Sequence, residues 1–401
     1  MYVTRPLSMY KKFPSALELP PPEGPNSGIL VIQDEETETT CCFGMCKNID
    51  ELLELPFPQN KNLETRYSTS GSDNKTQVSY DKVVFIPVLN LSLSSNRYYA
   101  IQPTGTHKGE AFTSSNEEDK VTCCFCCTFI SDVKPQPFDP NNDYQQYEIC
   151  SKDWGGFFAK SVAPDGYPPG FLNRTGYKGW TVVTETPKNF KLDEAPGLDI
   201  NLRARLPDFN FPLSNKSCKP VIVGKWYIPF IFIKEEGTVL KHQMSRSMYY
   251  EMTLEQRWEQ IFACDNDYNE DNAAVVDVSF EREVVSFFGG GGGGETERSV
   301  EVDGVMWFKS LGDVGGGVSA VGLSSQVIER MKWEAERFGW VKGKEKRVSV
   351  KRVEQCGGVG GQWSKFGCYA LVERFVLKRM DGSLVLNYDF NHTRHIKCKW
   401  E

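Results

Sequence analysis

The chain has 401 residues, of which 40% are hydrophobic and 12% aromatic, ample for two or three conventionally packed domains. Its 46 Lys and Arg against 53 Asp and Glu leave a formal net charge of −7, which disfavours general attraction to nucleic acid or to anionic membrane surfaces.

The opening stretch MYVTRPLSMYKKFPSALELPPP lacks the apolar core of a secretory signal. The longest charge-free apolar runs, VTCCFCCTFIS and WYIPFIFI, are too short to cross a bilayer, so no transmembrane segment is expected. The expected compartment is the cytoplasm, with the nucleus left open. There the sequons at Asn74, Asn90, Asn173, Asn215 and Asn391 stay unglycosylated, and the 13 cysteines are reduced thiols rather than a disulfide framework.

GILVIQ, KVVFIPVLNLSL and RYYAIQ read as strands, being rich in β-branched and aromatic residues and bounded by Pro, Gly, Asn and Ser. Two segments repeat one order of features: an acidic run, the tetrapeptide TCCF, a short hydrophobic stretch, then Pro-Phe. They are the cysteine clusters of residues 40–60 and 122–142. The offset is 82 residues at Cys41 and Cys123 and 81 at Pro56 and Pro137. A diverged internal duplication accounts for the shared order. Residues 1–185 are therefore expected to form an N-terminal β-rich domain of two related modules, and 186–220 a polar, Pro-rich connecting segment.

Residues 221–401 are expected to be a second β-rich domain. It opens with VIVGKWYIPFIFIKEE, interrupted by Pro229. A helix is predicted over 324–338, with Val327, Ile328, Met331, Ala335 and Phe338 on one face and Ser324 as cap. The glycine run Gly289–Gly294 reads as a flexible loop between strands. KGKEKRVSVKR reads as a strand with a solvated cationic face. FGCYALVERFVLKRM, Asp381-Gly382 and SLVLNYDFNH form a long hairpin, with one face of the return strand buried. The fold class is thus α+β, predominantly antiparallel β, in two β-rich domains with few helices.

The cysteines supply the candidate sites. Cys123 and Cys126 have a spacing that lets two thiolates reach one zinc ion, and Cys42 with Cys46 could complete a tetrahedral site. Adjacent cysteines of a strand point to opposite faces, however. One strand through the second cluster puts Cys123, Phe125, Cys127 and Phe129 on one face and Cys124, Cys126 and Ile130 on the other, and this structural reading outweighs the metal. Reversible palmitoylation at Cys123, Cys124, Cys126 and Cys127 is the third reading. His392 and His395, three apart on a strand, should face opposite ways, so with Cys398 they make a poor metal set. The glycine clusters lack a phosphate-loop or dinucleotide pattern, and neither HExxH nor GxSxG occurs. No catalytic or cofactor-binding residue is expected.

The stretches MYVTRPLSMYKKFPSAL, TCCFGMCK, SVAPDGYPP, RARLPDFNFPLSNK, VGKWYIPFIFIKE, YYEMTLEQRWEQIF, RMKWEAERFGW and FVLKRMDGSLVLNYDFNH resemble a plant family defined by a domain of unknown function, one that carries the automatic label "insecticidal crystal toxin domain". The resemblance implies a plant source and carries over no activity, ligand or catalytic residue. A pore-forming hairpin would alternate lipid-facing apolar with polar residues, and LVERFVLKR is apolar on both faces. The expected function is that of a soluble, non-catalytic, intracellular binding protein with a protein partner. The alternatives are a peripheral membrane protein acylated at 123–127 and an enzyme with an unrecognised site.

Overall fold

Runs of β-branched and aromatic residues drive much of this chain into mainly antiparallel sheet, and helices are few and short. The computed structural model describes every residue except 38–39, 42–45, 48–50, 71–75, 124–126, 154, 175, 177–178, 267–271, 290–291, 296–297, 310–319 and 357–362. The chain divides into two units. The first comprises Met1–Ala195, Pro229–Phe232 and Thr238–Tyr249, and the second Pro196–Ile228, Ile233–Gly237 and Tyr250–Glu401.

In the first unit, β1 (Tyr2–Pro6) leads through helix α1 (Leu7–Lys12) and pairs in parallel with β2 (Gly28–Ile32). A small hairpin follows, β3 (Thr40–Cys41) with β4 (Cys46–Lys47). Next come β5 (Glu51–Leu52), β6 (Asn62–Ser70), β7 (Thr76–Pro87) and β8 (Arg97–Ile101). A second hairpin joins β9 (Lys120–Cys123) to β10 (Cys127–Ile130). The strands β11 (Gln146–Ser151), β12 (Phe157–Ser161) and β13 (Thr181–Glu185) complete an antiparallel sheet in the order β12-β11-β8-β7-β6-β13-β5. Inward-facing residues of these strands build an aromatic core. Phe57 touches Phe85, Tyr98 and Phe157 at ring separations of 5.1, 5.7 and 5.1 Å, and Trp180 stacks on Phe85. The Trp180 indole N–H donates to the Leu172 carbonyl at 2.8 Å, which satisfies the one polar atom of a fully buried side chain.

The Pro-rich stretch is more than a tether. It holds β14 (Gly197–Leu198) and α2 (Ile200–Arg205), whose Asp199 cap accepts from the Leu202 amide, and it buries Leu213 and Cys218. In the second unit β15 (Val221–Pro229) ends where proline has no N–H to give the ladder, and β16 (Ile233–Glu235) resumes after a short turn of 3₁₀ helix. After β16 comes α3 (Leu240–Arg246), which belongs to the first unit. The long strand β17 (Tyr249–Asp265) precedes β18 (Ala273–Glu281), β19 (Glu283–Gly289), β20 (Gly292–Glu295), β21 (Arg298–Val302), β22 (Val305–Lys309) and β23 (Ala320–Ser324). Helix α4 (Ser325–Arg337) buries Val327, Ile328, Met331 and Ala335, as its periodicity predicts, with Ser324 at the cap position but no bond from its side chain. β24 (Arg347–Gln355), β25 (Lys365–Arg379) and β26 (Leu384–Trp400) close the chain. The strands β15-β17-β25-β26-β19-β20 run side by side, β16-β23-β22-β21 form a second sheet, and β18 pairs with β24.

Three expectations change. Gly289 and Gly292–Gly294 are ladder residues, set opposite one another and Phe287 and Phe288, so the glycine run is largely a hairpin rather than a loop. The return strand β26 is buried on both faces from Val385 to Phe390, because it runs between β25 and β19 with side chains covered on either side. The second cysteine cluster is not one strand. Cys123 lies opposite Cys127 across a hairpin, so the single-strand alternation does not apply. The Asp381-Gly382 turn is as predicted, with Gly382 at φ 80° and Asp381 accepting from the Ser383 amide at 2.8 Å.

Candidate functional site

The densest set of ionisable side chains in the second unit gathers where β17, β25 and β26 meet α2 and α4. Glu373, His392, Gln256, Glu334, Arg203 and Arg330 are each no more than 3% exposed. Glu373 Oε1 accepts from Arg203 Nε at 2.7 Å and Gln256 Nε2 at 3.0 Å. Its Oε2 accepts from Arg203 NH2 at 2.7 Å and lies 3.1 Å from His392 Nε2. Burial by itself would raise the Glu373 carboxyl. The hydrogen bonds from His392 and Arg203, with the Arg203 charge, outweigh it and hold the group down at about 2. An ionised carboxylate only accepts, so His392 Nε2 carries the proton.

Arg203 also reaches Glu334, donating from NH1 to its carboxylate at 3.1 Å and from NH2 to its carbonyl at 2.8 Å, and its guanidinium lies 4.4 Å from the centre of the Phe338 ring. Arg330 donates to the other Glu334 oxygen at 2.6 Å. Two buried cations, joined by the part-exposed Arg337 at 3.5 Å from Glu334 Oε2, thus face two carboxylates beside the imidazole, so neither buried carboxylate lacks a cation. Further along the same strands Arg379 clamps Glu235 through two bonds of 2.8 Å, and the Tyr250 hydroxyl donates to that carboxylate at 2.7 Å. Arg374 and Arg257 share Asp389.

A histidine on a carboxylate is the arrangement of a general base, but this one is closed. All four lone-pair directions of Glu373 are engaged, and neither partner touches solvent, so no proton can pass from a substrate to either in this conformation. Among the described residues His392 Nδ1 and Gln256 Oε1 have no hydrogen-bond partner. The geometry is that of a cross-brace tying a helix of the Pro-rich stretch to the central strands.

Sequence reasoning missed this cluster. Arg203 lies in the stretch read as a connection, and Glu373 in a strand that is mostly apolar and whose other charged residues are all basic. The signal was present in LVERFVLKR, where a lone acid inside a doubly buried strand requires a cation, and in Arg330 and Glu334, spaced i, i+4 beside the apolar face of α4. The two histidines also depart from expectation. Between Ala370 and Leu371 the register of β25 against β26 jumps from Ile396 to His392, and the irregularity turns the rings together at 5.7 Å. His395 stacks on Phe338, and burial lowers its pKa. Cys398 belongs to another row, opposite Cys368.

Of the cysteine candidates, Cys42, Cys124 and Cys126 lie outside the described residues. Cys46 stands opposite Cys41, and Cys123 opposite Cys127, each pair closing a hairpin. Four residues separate the first pair and three the second, which is where the repeat offset falls from 82 to 81. Among the described residues no group of three or more His, Cys, Asp or Glu is placed to hold a metal ion, and no helix is long and apolar enough to cross a membrane.

No curated protein matches the chain. Among solved structures, a chain described as "Crystal structure of Cry35Ab1" aligns over 86% of this chain and 90% of its own length, at 12% identity and a TM-score of 0.47. Residues 23–125, which include the first cysteine hairpin and the strands β5 to β8, match the family model described as "Protein of unknown function (DUF1262)".

Proposed function

We propose that this chain is a non-catalytic binding protein of the plant cytoplasm that works through a protein partner. The observation that supports this reading is the saturation of Glu373: the best acid–base constellation of the second unit is consumed as internal bracing. Affinity capture from plant cells with the tagged full chain tests it. A partner recovered equally with and without hydroxylamine agrees with the proposal. A chain held on membranes and released by hydroxylamine, which cleaves thioesters, would replace it with the acylated reading.

That second reading has one observation of its own. On the β9–β10 hairpin Val121 and Phe129 sit directly opposite each other and are 47% and 53% exposed, beside the cysteines at 123–127. An apolar pair next to an acylated cysteine cluster would add to membrane affinity, since one acyl chain alone gives only marginal, reversible attachment.

A further inference from the structure

The far end of the long hairpin carries two thiols in one rung. Cys368 of β25 pairs with Cys398 of β26, both free, the first fully buried and the second part-exposed. The type of rung follows from its neighbours. Lys365 and Glu401 exchange both backbone hydrogen bonds, at 3.0 and 2.9 Å, and the register then runs without a break from Phe366–Trp400 to Cys368–Cys398. Rungs alternate, so the cysteines occupy a narrow, non-hydrogen-bonded rung, where Cα atoms approach to about 4.5 Å. That lies within the span a disulfide accepts, about 4.4–6.8 Å. The Cys398 S–H donates to Cys368, which lowers the Cys368 thiol and raises that of Cys398. On its other side Cys368 faces Phe262, so Cys398 is the sulfur directly across from it.

We infer that Cys368 and Cys398 are a dithiol–disulfide site, oxidised reversibly by a low-molecular-weight disulfide of the glutathione type. Cys398 is the sulfur that solvent reaches; passing its proton to the neighbouring Cys368, it attacks one sulfur of glutathione disulfide, breaking that S–S bond and releasing one glutathione, which carries the proton away from Cys368. Cys368, beneath it, attacks the Cys398 sulfur of the mixed disulfide and expels the second glutathione. One Sγ–Sγ bond forms as the external one breaks. Two electrons pass from the cysteines to glutathione disulfide, and the two thiol protons end on the released glutathiones. The product staples the end of β26 to β25 beside the Phe366–Trp400 ring contact, 4.4 Å between centres.

The test equilibrates the full chain with graded ratios of glutathione and its disulfide, quenches with acid, alkylates and maps peptides by mass. The expected result is a linked Cys368–Cys398 peptide pair lighter by two hydrogens, with both cysteines leaving the alkylatable pool at the same ratio. Cys368→Ser should instead accumulate glutathione on Cys398, and Cys398→Ser should leave Cys368 reduced. The inference is overturned if both thiols stay alkylatable at every ratio, if wild type stops at a glutathione adduct on Cys398, or if Cys398 links to Cys356 or Cys264, its neighbours in the same apolar cluster. The wild-type map decides the matter even where a variant fails to fold.

Discussion

Replacing Glu373 by Gln should remove the charge that holds Arg203 and His392 in place. A carboxyl whose pKa falls from the ordinary 4.5 to about 2 on folding contributes ~3 kcal/mol at neutral pH, at ~1.4 kcal/mol for each pH unit. Breaking one partner out of a buried ion pair costs about 3–5 kcal/mol by mutation, which agrees in size. The amide fits the space, but its NH₂ would meet donors from Arg203, His392 or Gln256. Hydrogen exchange at neutral pH should therefore show roughly a hundredfold loss of protection in β17 and β25. The pH dependence has a definite sign. Because the folded carboxyl binds its proton more weakly than the unfolded one, its contribution is complete above about pH 5.5 and drains away as pH falls from about 4.5 towards 2. Urea melts in steps from about pH 7 to pH 3 should show the gap between wild type and E373Q holding constant down to about pH 5.5 and narrowing below about pH 4.5. A loss of protection under about tenfold, or a gap that keeps its full size at about pH 3, would refute the assignment of that stability to Glu373.

Other positions give independent checks. Trp180→Ala opens the aromatic core of the first unit and should cost about 3–5 kcal/mol in urea unfolding, whereas Trp180→Phe, which loses the indole hydrogen bond but leaves the Leu172 carbonyl its bond from the Ala159 amide, should cost less, about 0.5–1.5 kcal/mol for that bond. Gly382→Ala meets no atom within 4 Å of the added methyl group but sits at φ 80°, so its cost of about 1 kcal/mol is purely conformational, and Gly382→Asn should recover part of it. Purified protein should carry no stoichiometric zinc, and chelators should leave its melting temperature unchanged. One bound equivalent in elemental analysis would instead give the cysteines of 40–60 and 122–142 a ligand role.

What could be read from the sequence is whatever depends on neighbours close along the chain. The Asp381-Gly382 hairpin was legible because only the turn's local backbone decides it, and α4 because its apolar residues recur at the helical period over more than three turns. The stop at Pro229 follows from a missing N–H. The glycine run failed the same test for a physical reason. Composition registers that glycine buries nothing, but a strand partner needs only backbone N–H and C=O groups, and glycine has both.

The cross-brace was illegible because its parts are 170 residues apart, from Arg203 to Glu373. An alternation rule assumes one wet face and one dry face, and β25 over most of its length and β26 from Val385 to Phe390 have no wet face. In such a strand a charged residue does not mark the outside. It marks a place where another element must deliver the opposite charge, and here α2 delivers Arg203. The histidines teach the complementary point. A separation of three residues fixes opposite faces only while the ladder is regular, and the register jump at Ala370 and Leu371 lets His392 take Glu373 while His395 remains beside it on Phe338. Shortening that three-residue irregularity by one, through deletion of Thr393, should shift His395 relative to His392, separate the rings and loosen His392 from Glu373. If the resulting chain still gained its stability from Glu373 with the same dependence on pH, the imidazole would have no part in holding that carboxylate, and Arg203 with Gln256 would account for it alone.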